Sequence, residues 1–261
     1  LDLDPLPVAA AAPGAPSGTS SGAAPGVSSG VSSGEVAIRP ASIDRGAVVG
    51  ATQWCIRPTD LETTRVRGTK NPDLAAVRAL EPDVVVANKE ENRELDVRRL
   101  RDAGVRVWVT DIETVPGAVA SMERLLDGIG WQRPDWLARA RELWCGPLPE
   151  VTRRVVVPIW RDPWMVVGPA TFTSDLCRRL GWQTLPDAGA AAEGRYPSLD
   201  VEQIDALGAD AVLLPAEPYE FTATDGPEAL RSPCELVDGR LLTWYGPSLL
   251  DARTSVERRG A

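Results

Sequence analysis

Asn71-Pro72-Asp73-Leu74, continued by Val77, Ala79-Leu80 and Asp83-Val84-Val85-Val86, decides the fold, because the chain says it twice. Downstream, Tyr196-Pro197-Ser198-Leu199 leads to Ile204, Ala206-Leu207 and Asp210-Ala211-Val212-Leu213-Leu214, the same phrase with a small insertion. Each copy reads as a short helix feeding a buried strand. Proline suits the first turn of a helix, where its missing N–H is not needed. An aliphatic run behind an acidic residue suits a strand covered on both faces. Two copies at a long period mean a duplicated α/β lobe rather than a solenoid. A crevice between two such lobes is a natural ligand site.

Working outward, residues 47–52 form an aliphatic strand ending at Gln53-Trp54-Cys55. The first repeat's strand ends in Asn88-Lys89-Glu90-Glu91-Asn92. A helix over 93–103 places Leu95, Val97 and Leu100 inward and stops at Gly104 before a strand over 105–110. Thr114 caps a helix that carries Val119, Met122, Leu125 and Leu126 on one stripe and ends at Gly128 and Gly130. Pro134 opens a further helix to residue 144, the expected connection between lobes.

In the second half, strands are expected over 154–160 and 164–168, a helix over 173–180, and a last strand over 241–244 that leads through Tyr245-Gly246-Pro247-Ser248 into a closing helix. Alternating strands and helices predict mostly parallel sheets, with ligands at the carboxyl ends of the strands. Those ends carry Trp54, Asn88, Trp160, Glu217 and Trp244.

The resulting domain plan is a Gly/Ser/Ala/Pro-rich linker over 1–34, an α/β lobe over 35–130, a linking helix within 131–150 and a second α/β lobe over 151–261. The linker composition cannot bury enough apolar surface to offset its ordering entropy. Gly18-Thr19-Ser20-Ser21-Gly22 inside it matches the G-x-S-x-G nucleophile pattern, but no strand precedes it and no histidine exists to activate Ser20.

Composition narrows the function. The net charge of −9 and the absence of a basic stripe disfavour nucleic acid. No apolar run is long enough to span a bilayer, and no charged n-region precedes an apolar h-region. Histidine is absent, which removes His-based triads and imidazole metal ligation. Cys55, Cys145, Cys177 and Cys234 form no C-x-x-C pair, so they are expected to be buried free thiols, and no metal is expected on protein side chains. Neither G-x-G-x-x-G nor a phosphate-cradling P-loop occurs, which argues against an enzyme on a doubly wound fold.

Nine Trp stand against three Tyr and two Phe. Trp108, Trp131, Trp136, Trp144 and Trp182 fall in or at the ends of expected elements and should pack core or seams. Trp54, Trp160, Trp164 and Trp244 fall near strand ends or in loops, where a flat ring can face a ligand or the core. Ligand contact is expected for Trp54, Trp160 and Trp244, and Trp164 stays open. Glu90 and Glu91 are expected to be solvated surface.

Val48-Val49-Gly50-Ala51-Thr52-Gln53-Trp54, the run from Val66 to Leu74, the run from Ala79 to Asn88, and Leu100-Arg101-Asp102-Ala103-Gly104-Val105 together resemble the helical-backbone metal-receptor family. These are substrate-binding proteins for cobalamin and ferric siderophores that feed ABC importers. The resemblance covers roughly residues 45–255 and is nearest to the cobalamin-binding branch.

It implies a non-enzymatic, extracytoplasmic protein that holds a corrinoid or other metal chelate, as a transported ligand and not a cofactor, for an importer permease. Trp54, Asn88, Trp160, Trp244 and Tyr245 would contact the ligand. Glu94 and Glu217 would dock the permease. Family members usually open with a strand and helix carrying a Pro-Ser-x-Thr-Glu-like turn. No such motif precedes residue 45, so the first lobe is expected to lack that strand–helix unit, and a degenerate interaction module is the alternative function.

Overall fold

In the computed structural model the described residues are 36–38, 47–56, 59, 61–187, 189 and 194–259, with only the backbone described at 36–38 and 256–259. The expected linker, including Ser20, lies outside them.

The repeat is real in three dimensions. Helix α1 (Leu74–Ala79) and helix α6 (Val201–Ala206) are both six residues long. Strands β6 (Val84–Asn88) and β12 (Ala211–Pro215) that follow them are both five residues long and buried throughout. Each helix begins on an aspartate whose side chain accepts from the backbone three residues on: Asp73 from the Ala76 N–H at 3.0 Å, Asp200 from the Gln203 N–H at 2.7 Å. The caps satisfy N–H groups that the helix start leaves without a partner. Pro72 and Pro197 lie outside the helices, one before the cap and the other three before it. They belong to the extended approach and not to the first turn, as the sequence had suggested.

The chain forms two compact units. One runs to Thr110 and includes Arg124–Gln132; the other comprises Asp111–Glu123 and the chain from Arg133 onward.

The first unit is built on a five-stranded sheet. Its spatial order is β3 (Thr64–Arg65), β2 (Val48–Ala51), β1 (Val36–Ile38), β6, β7 (Val107–Thr110). Ladders β2–β3 and β6–β7 are parallel, while β1 runs antiparallel to both of its neighbours. The expected loss of a first strand is thereby corrected: a strand is present, central in the sheet. Three residues between Glu35 and Arg39-Pro40 carry too little periodicity to be read as one.

A small hairpin, β4 (Arg67–Gly68) with β5 (Asn71–Pro72), precedes α1. Val66, Val77, Val85, Ala87, Val97, Leu100 and Val107 form the core on one side. Val84, Val86, Leu125 and Ile129, flanked by Trp108 and Trp131, form the other.

Helix α2 (Glu94–Asp102) corrects one orientation. Val97 and Leu100 are buried as expected, but Leu95 is 49% exposed and Asp96 takes the inner position. Asp96 sits in the first turn, where the helix dipole favours a carboxylate. It also pairs with Arg93 at 2.8 Å and Arg99 at 3.6 Å.

The second unit carries a fully parallel sheet of order β11 (Trp182–Thr184), β8 (Arg153–Val156), β12, β13 (Cys234–Val237). The strand expected over 154–160 is two strands, β8 and β9 (Pro158–Trp160), and β9 pairs antiparallel with β10 (Met165–Val166).

Helix α3 (Val115–Gly128) starts under the Thr114 hydroxyl, which accepts from the Gly117 N–H at 3.0 Å. The Val115 N–H donates to Asp175 of α5 (Phe172–Arg179) at 2.7 Å. Helix α4 (Asp135–Trp144), expected as the linking helix, ends at a buried Trp144 whose indole donates to the Leu249 carbonyl of α8 (Ser248–Arg259) at 2.8 Å.

The last expected strand is corrected as well. Residues Arg240–Thr243 form a short helix, α7, and the edge strand is β13 a few residues earlier. An Arg-Leu-Leu-Thr run has helix and strand propensities too close to separate, and Asp238-Gly239 before it starts a turn.

Candidate ligand-binding site

In the first unit, Trp54 follows β2 and is 61% exposed. Its indole lies along the β4–β5 hairpin. A Cβ at Gly68 would meet Trp54 Nε1 at 3.2 Å and Asn71 Oδ1 at 2.8 Å, so the ring packs closely over the glycine and a side chain there would shift Asn71 and press on the indole. The hairpin tip is tied to the turn after β6. Asn92 donates to the Thr69 carbonyl at 3.3 Å, Thr69 to Glu91 at 3.3 Å, and Lys70 reaches the Glu90 carbonyl and, at 3.9 Å, the Glu91 carboxylate. Trp54 and the Asn88–Asn92 turn thus share the carboxyl end of the sheet. Glu90 and Glu91 are half-buried rather than the solvated surface expected.

Asn88 is placed differently from Trp54. It is buried, and its amide oxygen accepts from the Glu90 and Glu91 N–H groups at 2.8 and 3.3 Å while its amide nitrogen donates to Thr110 at 3.4 Å. It shapes the turn after β6. Glu94, at the start of α2, has a side chain 61% exposed and paired with Arg98 at 2.8 Å.

In the second unit, Trp160 ends β9 and is 46% exposed. It meets Tyr219 edge to face with centroids 5.6 Å apart. Tyr219 leans on Phe221 at 4.7 Å, and Phe221 stacks on Trp164 at 5.7 Å. Trp164 is buried, which assigns the ring left open to the core.

The sequence reading did not single out Tyr219 or its neighbour Arg161. Tyr219 donates to Asp225 at 2.7 Å, and the Arg161 guanidinium pairs with both Asp225 and Glu228 and stands 5.5 Å from the Trp164 ring. The hydrogen bond to Asp225 raises the Tyr219 phenol above its ordinary value. The hydrogen bond from Arg161 holds Glu228 below the usual glutamate range. Nothing in the spacing of Trp160, Tyr219 and Asp225 announces this cluster, because the fold brings β9 and the loop after β12 together.

Trp244 is half-buried at the C-cap of α7, a helix end and not a strand end as expected. Tyr245 stands edge to face against Phe172 at 5.4 Å. Glu217 is half-buried, and its backbone lies so close to Gly239 that a Cβ there would meet the Glu217 carbonyl at 2.7 Å. It also raises the Arg240 side chain through its charge, after the larger effect of the Asp238 hydrogen bond. Among the described residues, no group of three or more Cys, Asp or Glu is arranged to hold a metal ion.

No family model matches the chain, and no curated protein matches it in sequence. Solved structures do. The periplasmic heme binding protein HutB of Vibrio cholerae aligns at TM-score 0.67 and 16% identity, over 83% of this chain and 91% of that one. The periplasmic vitamin B12 binding protein BtuF of Vibrio cholerae aligns at TM-score 0.63 and 16% identity, over 81% and 87%. The periplasmic heme-binding protein BhuT, solved with two hemes, aligns at TM-score 0.60 and 22% identity, over 81% and 87%. These neighbours are binding proteins, not enzymes. At such identities the likeness establishes architecture, and this chain has the α/β fold of periplasmic binding proteins.

Proposed function

We propose that the protein is a substrate-binding protein that captures a planar metal chelate, a corrinoid in the first instance, for an ABC importer. The observation that carries this reading is that each unit exposes an indole at the carboxyl end of a strand, Trp54 after β2 and Trp160 at the end of β9. A macrocycle is well gripped by indole faces and needs few directional bonds. The fold supports the class, since its neighbours include proteins described as binding vitamin B12 and heme.

Trp244 and Tyr245 are proposed as secondary ligand contacts, and Asn88 as a contact through the turn it holds. Glu94, exposed on α2, is proposed to dock the permease, with Glu217 as its less exposed counterpart. The chelate is the transported ligand; no resident cofactor is proposed. An extracytoplasmic location follows from the role. Among the described residues, no helix is long and apolar enough to cross a membrane.

Incubation of the full chain with hydroxocobalamin, a ferric siderophore or haemin, followed by gel filtration, tests the reading. Visible absorbance co-eluting at one chelate per chain supports it. Elution without colour from all three would return the protein to the interaction-module alternative.

A further inference from the structure

The rings come with an unusual charge setting. Arg161, next to Trp160, has a side chain only 21% exposed and is held by both Asp225 and Glu228, with the exposed Asp162 at 4.0 Å from its Nε. One cation thus faces three carboxylates beside the Trp160–Tyr219 pair, and Asp225 also takes the Tyr219 hydroxyl proton as a hydrogen bond.

The cations flanking Trp54 are engaged too. Arg65 donates to the carbonyls of Thr52, Cys55 and Leu61. Arg67 pairs with Asp73 at 3.7 Å, and Lys70 with Glu91. The excess of carboxylates lies beside Trp160: a ligand carboxylate laid over that ring would meet Asp162, Asp225 and Glu228 and would have to displace one of them to gain Arg161. Near a low-dielectric ring surface, such a mismatch is felt more strongly than in water.

We infer that Asp225 and Glu228 are selectivity determinants: by occupying Arg161 they make the Trp160–Tyr219 surface accept a chelate with an amide-edged or cationic rim and reject one with a carboxylate rim. This rests on the chelate-binding reading above and narrows it to one charge class. Exchanging a bound partner of Arg161 for a neutral amide would leave the guanidinium able to pair bidentately with a ligand carboxylate.

The test is a matched pair of corrins, dicyanocobinamide with an amide rim and dicyanocobyrinic acid with a carboxylate rim, titrated by Trp fluorescence against the full chain. The native chain is expected to bind the amide corrin at least tenfold more tightly. Asp225→Asn/Glu228→Gln, or Glu228→Gln alone should the double variant melt early, is expected to shrink that ratio by raising affinity for the acid.

Glu142→Gln/Glu202→Gln makes the same change in net charge at exposed sites on other elements and should leave the ratio unchanged. The inference is overturned if the native chain binds the acid as tightly as the amide, or if the ratio does not move in the Asp225/Glu228 variants. Tight binding of haemin with neither corrin retained would overturn it while leaving the chelate reading intact. Failure of both corrins, haemin and a ferric siderophore to bind would remove both.

Discussion

Trp160 and Tyr219 meet edge to face, their ring planes 77° apart, at the point where β9 and the loop after β12 come together. The two rings behind them, Phe221 and Trp164, are buried and stacked with nearly parallel planes, 19° apart. The second unit therefore presents an exposed aromatic pair backed by a rigid aromatic core.

That layering separates two tryptophans four residues apart. Trp160→Ala should leave the melting temperature nearly unchanged, because almost half of the side chain is already in solvent. Trp164→Ala removes a buried ring and should cost about 3–5 kcal/mol. Thermal denaturation of both variants checks this; an equal loss for the two would place Trp160 in the core as well.

The repeat supplies a second prediction. After each repeated helix the chain turns through the left-handed region at matching positions, with Glu81 at φ 46° in the first copy and Gly208 at φ 63° in the second. An L residue there costs roughly 1–2 kcal/mol, which glycine avoids. Glu81→Gly should raise stability by up to about 1 kcal/mol once the added freedom of the unfolded chain is counted, and Gly208→Ala should lower it by a similar amount. Urea unfolding of the pair measures both signs, and a destabilised Glu81→Gly would contradict the strain argument.

What the sequence reveals follows from how local each signal is. The two repeated helix–strand units, the Thr114 cap and the Gly104 stop are written in neighbouring residues, and the structure keeps them, though it moves the two helix starts from Pro72 and Pro197 to the capping Asp73 and Asp200. Strand β1 is three residues with no pattern of its own; it exists because β2 and β6 both lend it ladder partners. β13 is an edge strand whose Glu235 and exposed Leu236 blur the alternation that would mark it. Trp54 and Trp160 could be found at strand ends, but Tyr219, Asp225 and Arg161 are joined only by tertiary contact. Leu95 turns outward against expectation while Asp96 is buried, held by ion pairs to Arg93 and Arg99 that hydropathy does not register.

β1 gives a third prediction. Removing residues 1–34 should leave the melting temperature of the first unit unchanged, whereas extending the deletion through Ile38 should unfold that unit, since β2 and β6 would lose their shared neighbour. Hydrogen exchange at Val85 and Gly50 reports the difference. Intact protection after the longer deletion would show that the sheet does not need β1.

Cys177 provides an internal probe of the second unit. Burial pushes its thiol up to about 12, so almost no thiolate exists at pH 8 in the folded chain. Cys145 and Cys234 are only half-buried, and burial raises them less. Alkylation followed by peptide mass spectrometry should label those two first and Cys177 only after denaturant opens α5. Labelling of Cys177 in native protein at the rate of Cys145 would show that α5 opens readily.

The central claim, that exposed indoles hold a planar chelate, is tested most directly by titrating hydroxocobalamin into the native chain, Trp54→Ala and Trp160→Ala while following Trp fluorescence. The account predicts saturable quenching in the native chain and, in each variant, affinity weaker by about 2 kcal/mol or more with little change in melting temperature. Saturable binding whose affinity is unchanged in both variants would contradict it.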